Sequence, residues 1–170
     1  MEVFEAVQTV LAVREYEDKA IPEDVLQRIV EAAQLTASSM NKQPWHFILV
    51  TDRDLLRKLG QAVRTGPYIA QAGAAVVVAI EDTKFAVSDA SRAIQSMILT
   101  AWSDGVGSNW AGFGGLDQAK ALVGVPQDMD VLAVIPFGYP QRELGKGQKN
   151  RKPLGEVVSR ERYGQPYKAT

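Results

Sequence analysis

Apolar side chains recur along this chain in two rhythms, and each rhythm predicts a different kind of element. At helical spacing stand Val3, Phe4, Val7, Val10 and Leu11, then Val25, Leu26, Ile29, Val30 and Ala33, then Leu55, Leu56, Leu59 and Val63. Residues three and four apart share one face of a helix, so each set predicts an amphipathic helix packed by that face. The second helix opens at Ile21-Pro22-Glu23-Asp24, with Pro in its first turn and acids at the positive end of its dipole. Asp52 is placed to cap the third. Continuous apolar runs follow the other rhythm: Phe47–Val50, Ala74–Ile80 and Val131–Phe137 predict strands buried on both faces. The longest helical pattern, from Ser88 to Asp104, carries Ala93, Ile94, Met97, Ile98, Ala101 and Trp102 over more than one face. Such a helix is expected to be central and to contribute to a subunit interface. A short helix with Leu116, Ala119 and Leu122 is stopped by Gly124 and Pro126. The order is helix, helix, strand, helix, strand, long helix, strand, helix, strand, tail. That order predicts one α+β domain over residues 1–170 with a central sheet and no internal repeat or linker.

Composition narrows the chemistry. With 46% hydrophobic and 23% charged residues in 170, the chain is an ordinary globular one with enough length to bury a core. Its formal net charge of −1 provides no basic field for nucleic acid or an anionic membrane surface. Neither a membrane span nor a signal peptide is expected, and the reading is a cytoplasmic protein. The chain has no cysteine, which removes disulfides, thiol nucleophiles, thiolate zinc sites and iron–sulfur clusters together. Its single histidine, His46, lies in an apolar run and is expected to be packed; no metal site is expected. Chemistry is therefore left to carboxylates, Arg and Lys, hydroxyls, backbone amides or a borrowed cofactor.

Three stretches are candidates for a site. The first is Thr36–Val50, TASSMNKQPWHFILV, where Ser38, Ser39, Asn41, Lys42 and Gln43 form a polar knot between a helix and a strand. Small hydroxyls and amides at such a junction offer donors and acceptors to a ligand, although a connecting loop has the same composition. Pro44 is expected to bias Gln43 to an extended conformation. The second is the glycine-bearing Ser108–Gly115, SNWAGFGG. The third is a basic stretch, Arg142, Lys146, Lys149, Arg151 and Lys152, which suits either solvent or an anion.

The knot Ser38-x-x-Asn41-x-Gln43-Pro44-Trp45 followed by an apolar strand resembles the N-terminal segment of the nitroreductase family. Lys149-Asn150-Arg151-Lys152-Pro153-Leu154 is similar to that family's closing basic segment, and Val131–Phe137 with Gly138-Tyr139-Pro140 to its late strand and turn. The resemblance covers nearly the whole chain. It implies an α+β fold with a mostly antiparallel central sheet flanked by helices, an FMN cofactor, and electrons passed from NADH or NADPH to a small organic acceptor such as a nitro compound or quinone. It implies that Lys149 and Arg151 hold the FMN phosphate and that Asn41 meets the pyrimidine edge, with Gln43 in the same segment. Ser38 and Ser39 would meet the cofactor from the neighbouring subunit of a homodimer, with the tail from Tyr163 as an arm over the partner. Ala111 and Gly112 fall where the family offers a backbone N–H to flavin N5, and Arg14 where a cation faces N1 and O2. The sequence departs from the family at Ala37, which replaces a Pro, and at Val10, Leu11 and Ala12, which replace an Arg/Ser segment. That departure motivates an alternative, a flavin- or ligand-binding protein without turnover.

Overall fold

The structure is a computed structural model and describes residues 1–142, 144 and 149–167. Four strands, β1 (Trp45–Val50), β2 (Ala74–Glu81), β3 (Gly107–Ser108) and β4 (Met129–Gly138), form one antiparallel sheet in the order β1-β2-β4-β3. Helices α1 (Val3–Thr9), α2 (Glu23–Gln34), α3 (Arg53–Ala62), α4 (Ala86–Ser103), α5 (Leu116–Leu122) and α6 (Leu154–Val157) complete the α+β architecture.

Alternation along β2 explains the layering. Val76, Val78 and Ile80 point into a core shared with Leu26 and Ile29 of α2 and with Ala90, Ile94 and Met97 of α4. Ala75 and Val77 point the other way, against Leu56 and Leu59 of α3 and Ala119 of α5. A strand covered on both faces has to be apolar at every position, which is why Ala74–Ile80 reads as an unbroken run. The Asp52 cap forms as expected, its Oδ1 accepting from the Leu55 N–H at 2.8 Å. Pro22 sits one residue before α2 rather than in its first turn, with its carbonyl accepting from Val25 and Leu26.

Two expectations are corrected by the sheet. The run Phe47–Val50 belongs to an edge strand, β1, because only β2 pairs with it. His46, expected to be packed, is exposed on that edge, opposite Ala79. The run is also not buried on both faces: of Phe47–Val50 only Val50 is buried, and Leu49 is exposed. The first helix stops at Thr9, so Val10 and Leu11 lie beyond it in an extended segment. Its apolar stripe also stays bare: Ala6 alone is buried in α1, whereas Val3 is 75% and Phe4 69% exposed. Among the described residues no helix is long and apolar enough to cross a membrane.

Candidate functional site

The extended segment after α1 carries Arg14 to the sheet edge opposite β1. Val13 N–H donates to the Ser108 carbonyl at 2.8 Å, and Ala12 bridges Ser108 in parallel. The approach is close enough to demand glycine at 107, since a Cβ there would stand 2.4 Å from Val13 Cγ2. Tyr16 anchors the far side of Arg14, its buried hydroxyl donating to the Val13 carbonyl at 2.7 Å. Burial pushes the Tyr16 phenol well above its usual pKa; neighbouring Tyr68 adds to the rise and the Arg14 guanidinium opposes it. Asn109, buried beside Ser108, donates to the Tyr68 hydroxyl. Arg14 itself is exposed and forms no ion pair among the described residues.

The basic stretch returns to the same end of the molecule. Lys149 Nζ donates to the Val7 carbonyl at 2.7 Å, at the C-terminal end of α1, where carbonyls lack helical partners. This seats Lys149 at the end of α1, close to the extended segment that follows it. Desolvation, and after it the charge of Arg151, lower the Lys149 pKa. Lys149 and Arg151 are thus close enough for their charges to act on each other. Arg142 is drawn off instead by Glu15, at 3.2 Å, and so leaves the group. Lys146 lies outside the described residues.

Beyond Ser108 the chain continues along β4. The Ala111 N–H donates to the Val134 carbonyl at 3.0 Å and Val134 returns the bond at 2.8 Å. Ala111 is thereby removed as the donor that the family resemblance implied, leaving Gly112, whose N–H has no backbone partner among the described residues. A Cβ at Gly112 would stand 2.4 Å from Trp110 Nε1 and 3.3 Å from the Leu132 carbonyl oxygen, so a side chain here would have to displace the Trp110 indole.

The polar knot is a tightly wound 3-10 turn at Ser39–Asn41. Met40 (φ 54°), Asn41 (φ 54°) and Gln43 (φ 51°) all occupy the left-handed region, which non-glycine residues rarely adopt. Gln43 thus departs from the extended conformation expected before proline. Its N–H is taken by Ser38 Oγ at 2.9 Å and its carbonyl by Trp45 N–H at 2.8 Å, and these two bonds outweigh the local bias. Ser39 is fully engaged: its N–H donates to Asp89 Oδ2 at 2.9 Å and its Oγ to Asp89 Oδ1 at 3.0 Å. Ser38 keeps a hydroxyl proton to offer, and Asn41 keeps its amide donors, because its Oδ1 only accepts from Gln43 Nε2 at 3.4 Å.

These groups lie at two separate places in one chain. Ser39 docks at Asp89 near the start of α4, while Thr9 accepts from Trp102 Nε1 at its far end. Thirteen residues of helix at roughly 1.5 Å each separate the two anchors by about 20 Å. Arg14, Lys149 and Arg151 gather at one end; Ser38, Asn41 and Gln43 lie at the other. A cleft of about 600 Å³ lies between α1 and Trp102, and of the described candidate residues Arg142 alone lines it. Tyr16, Tyr68, Asn109 and Asp89 are structural partners that sequence reasoning missed. The available signal for Asp89 was an acid at helical spacing with Ala93 and Met97, on the face that α4 buries.

The described residues thus place Lys149 and Arg151 towards one end of α4 and a wound turn with free donors towards the other. The nitroreductase family profile matches residues 11–82 and 67–139, and the chain belongs to that family. A protein of Archaeoglobus fulgidus named "Putative NADH dehydrogenase/NAD(P)H nitroreductase" is 35% identical over 84% of this chain and 87% of its own length. One of the same name from Methanothermobacter thermautotrophicus is 32% identical over 85% of this chain and 81% of its own. In fold, the chain superposes with a TM-score of 0.86 on an FMN-dependent nitroreductase of Clostridium difficile, at 24% identity, covering 94% of this chain and 99% of the other.

Proposed function

We propose that this oxidoreductase passes electrons from NADH or NADPH through FMN to a small organic acceptor, a nitro compound, quinone or similar, from two sites at the interface of a homodimer of single-domain chains. The observation that carries the reading is the seating of Lys149, with Arg151 as its neighbour, beside the segment that bears Arg14. The residues fit the cofactor: paired cations suit its phosphate, Gly112 offers a bare N–H to a flat ring, and Ser38 and Asn41 retain donors for its polar edge. Bound FMN supplies two-electron redox chemistry between a nicotinamide donor and the acceptor. The chain's own part is to hold the phosphate with Lys149 and Arg151 and to present Arg14 as a fixed positive charge toward the ring's pyrimidine end. That charge favours the ring in its anionic reduced state. Reconstitution tests the reading: protein loaded with FMN should show a flavin spectrum that bleaches with NADH or NADPH. A colourless protein that rejects added FMN would sink it.

One observation favours a second reading, a ligand-binding protein without turnover. Val10, Leu11 and Ala12 supply no side-chain donor to a phosphate, so Lys149 and Arg151 carry it without help from that segment. Flavin that binds but stays oxidised under excess NADH and NADPH would select this alternative.

The shared site is supported by the two groups being anchored about 20 Å apart along α4 and by the bare stripe on α1. Val3, Phe4 and Val7 on α1, with Phe85 and Val87 at the start of α4, are exposed apolar groups of the kind a partner covers. Phe4→Glu should shift the protein toward monomer in sedimentation at micromolar concentration and weaken FMN binding in parallel. A variant that remains a dimer, or a monomer with full affinity, would contradict the shared site.

A further inference from the structure

Asp89 is a carboxylate with 0% exposure, and the catalytic reading gives it no task. Its position in the first turn of α4 places its charge at the favourable end of the helix dipole. Both oxygens are occupied: Oδ2 by the Ser39 N–H at 2.9 Å, Oδ1 by the Ser39 hydroxyl at 3.0 Å and by the Arg92 guanidinium. A buried charge is tolerated when donors satisfy it in this way, and its removal leaves those donors unpaired. The backbone immediately after Ser39 is strained. Met40, Asn41 and Gln43 all take positive φ, and such residues persist only where the surroundings over-determine them. Downstream the turn is held by Ser38 Oγ on the Gln43 N–H and by Pro44; upstream it is held by Asp89.

We propose that Asp89 is the positioning residue of the cofactor loop. It fixes Ser39 by backbone and side chain together, and so sets the strained turn that presents the Ser38 hydroxyl and the Asn41 amide. Ser39 therefore acts as the loop's anchor, its hydrogen-bonding capacity spent inside the protein. The inference rests on the proposed FMN site for the identity of the ligand, and on the geometry alone for the hold on the loop.

Asp89→Asn tests it, because the amide keeps the shape and replaces one acceptor by a donor facing donors. Two measurements on the full-length protein are needed. The first is amide hydrogen exchange over residues 38–45 without flavin, relative to exchange in β2; the second is FMN affinity by fluorescence quenching, per folded protein. The variant should exchange about tenfold faster in the loop alone and bind FMN about tenfold more weakly, the effect of one lost charge-assisted bond. Ser39→Ala removes one of the two anchors and should move both readouts in the same direction by less. It serves as the measurement if Asp89→Asn does not fold. A lowered melting temperature with unchanged loop exchange or unchanged FMN affinity would assign Asp89 to fold stability and overturn the proposal. If wild type fails to bind FMN, the functional reading fails by itself, and loop exchange still decides the role of Asp89.

Discussion

Arg151→Ala should weaken FMN binding about ten- to hundredfold and leave riboflavin binding nearly unchanged. The two ligands differ only by the phosphate, and a charge-assisted contact to it is worth on the order of 1.5–3 kcal/mol. The structure makes the loss specific. The described hydrogen bond of Arg151 runs only to the neighbouring Asn150 carbonyl, so the side chain supports nothing remote that its removal would disturb. Lys149 adds a pH signature. Desolvation and then the Arg151 charge lower its pKa, so folding penalises its charged form. That penalty is fully present below the folded-state pKa and fades as pH rises through it toward the unfolded value. A bound phosphate favours the charged lysine and raises its pKa again. FMN affinity should therefore fall as pH rises through the Lys149 pKa of the free protein, while riboflavin affinity stays flat. In Arg151→Ala the repelling neighbour is gone, and the fall should move to higher pH. Fluorescence titrations with both flavins across an alkaline pH series measure all of this. Equal losses for FMN and riboflavin would show that the basic segment holds no phosphate.

How much of the fold is legible in the sequence depends on what each pattern physically reports. Ala74–Ile80 and Val131–Phe137 announce central strands because burial on both faces forbids a polar position. Phe47–Val50 carries the same signal from a sheet edge where only Val50 is buried, since an apolar run does not show whether the chain covers it. The stripe on α1 is visible, but its partner is not: helical periodicity identifies an apolar face without saying whether the same chain covers it. The closing basic segment reads as one group in sequence, and ion pairing with Glu15 separates Arg142 from it.

Within the site, residue types are easier to read than hydrogen-bond assignments. Ser38, Asn41 and Gln43 share one wound turn, yet which of their atoms stay free is decided by contacts the sequence does not show. Ala111 gives its N–H to Val134, a residue 23 positions away. Ser39 gives both donors to Asp89, 50 positions away. The positive φ of Gln43 overrides a local rule about prolines through two bonds made inside the turn. Local propensity is a weak prior wherever several hydrogen bonds converge on one residue, and ligand loops are built that way.

Arg14→Met is expected to lower the two-electron potential of bound FMN by roughly 30 mV for each 1.4 kcal/mol of differential stabilisation removed. Arg14 is held between Val13, which donates to Ser108, and Tyr16, which donates to the Val13 carbonyl. The backbone is thus pinned on both sides, while the guanidinium is exposed and has no ion-pair partner among the described residues. Replacing it with methionine keeps roughly the length and removes the charge, so the fold should lose no more than about 0.5 kcal/mol, as for ordinary surface positions. The missing charge bears unequally on the two redox states: the reduced ring is anionic near N1 and O2, and the oxidised ring is neutral. A nearby cation stabilises the first more than the second, and its loss makes the flavin harder to reduce. Reduction by saturating NADH or NADPH should slow accordingly, which places the effect on electron transfer rather than on binding of the donor. The measurement is a redox titration of FMN-loaded variant and wild type side by side, with flavin occupancy checked from the visible spectrum. Full occupancy with an unchanged potential would leave Arg14 a surface arginine whose charge acts on Tyr16 and not on the flavin.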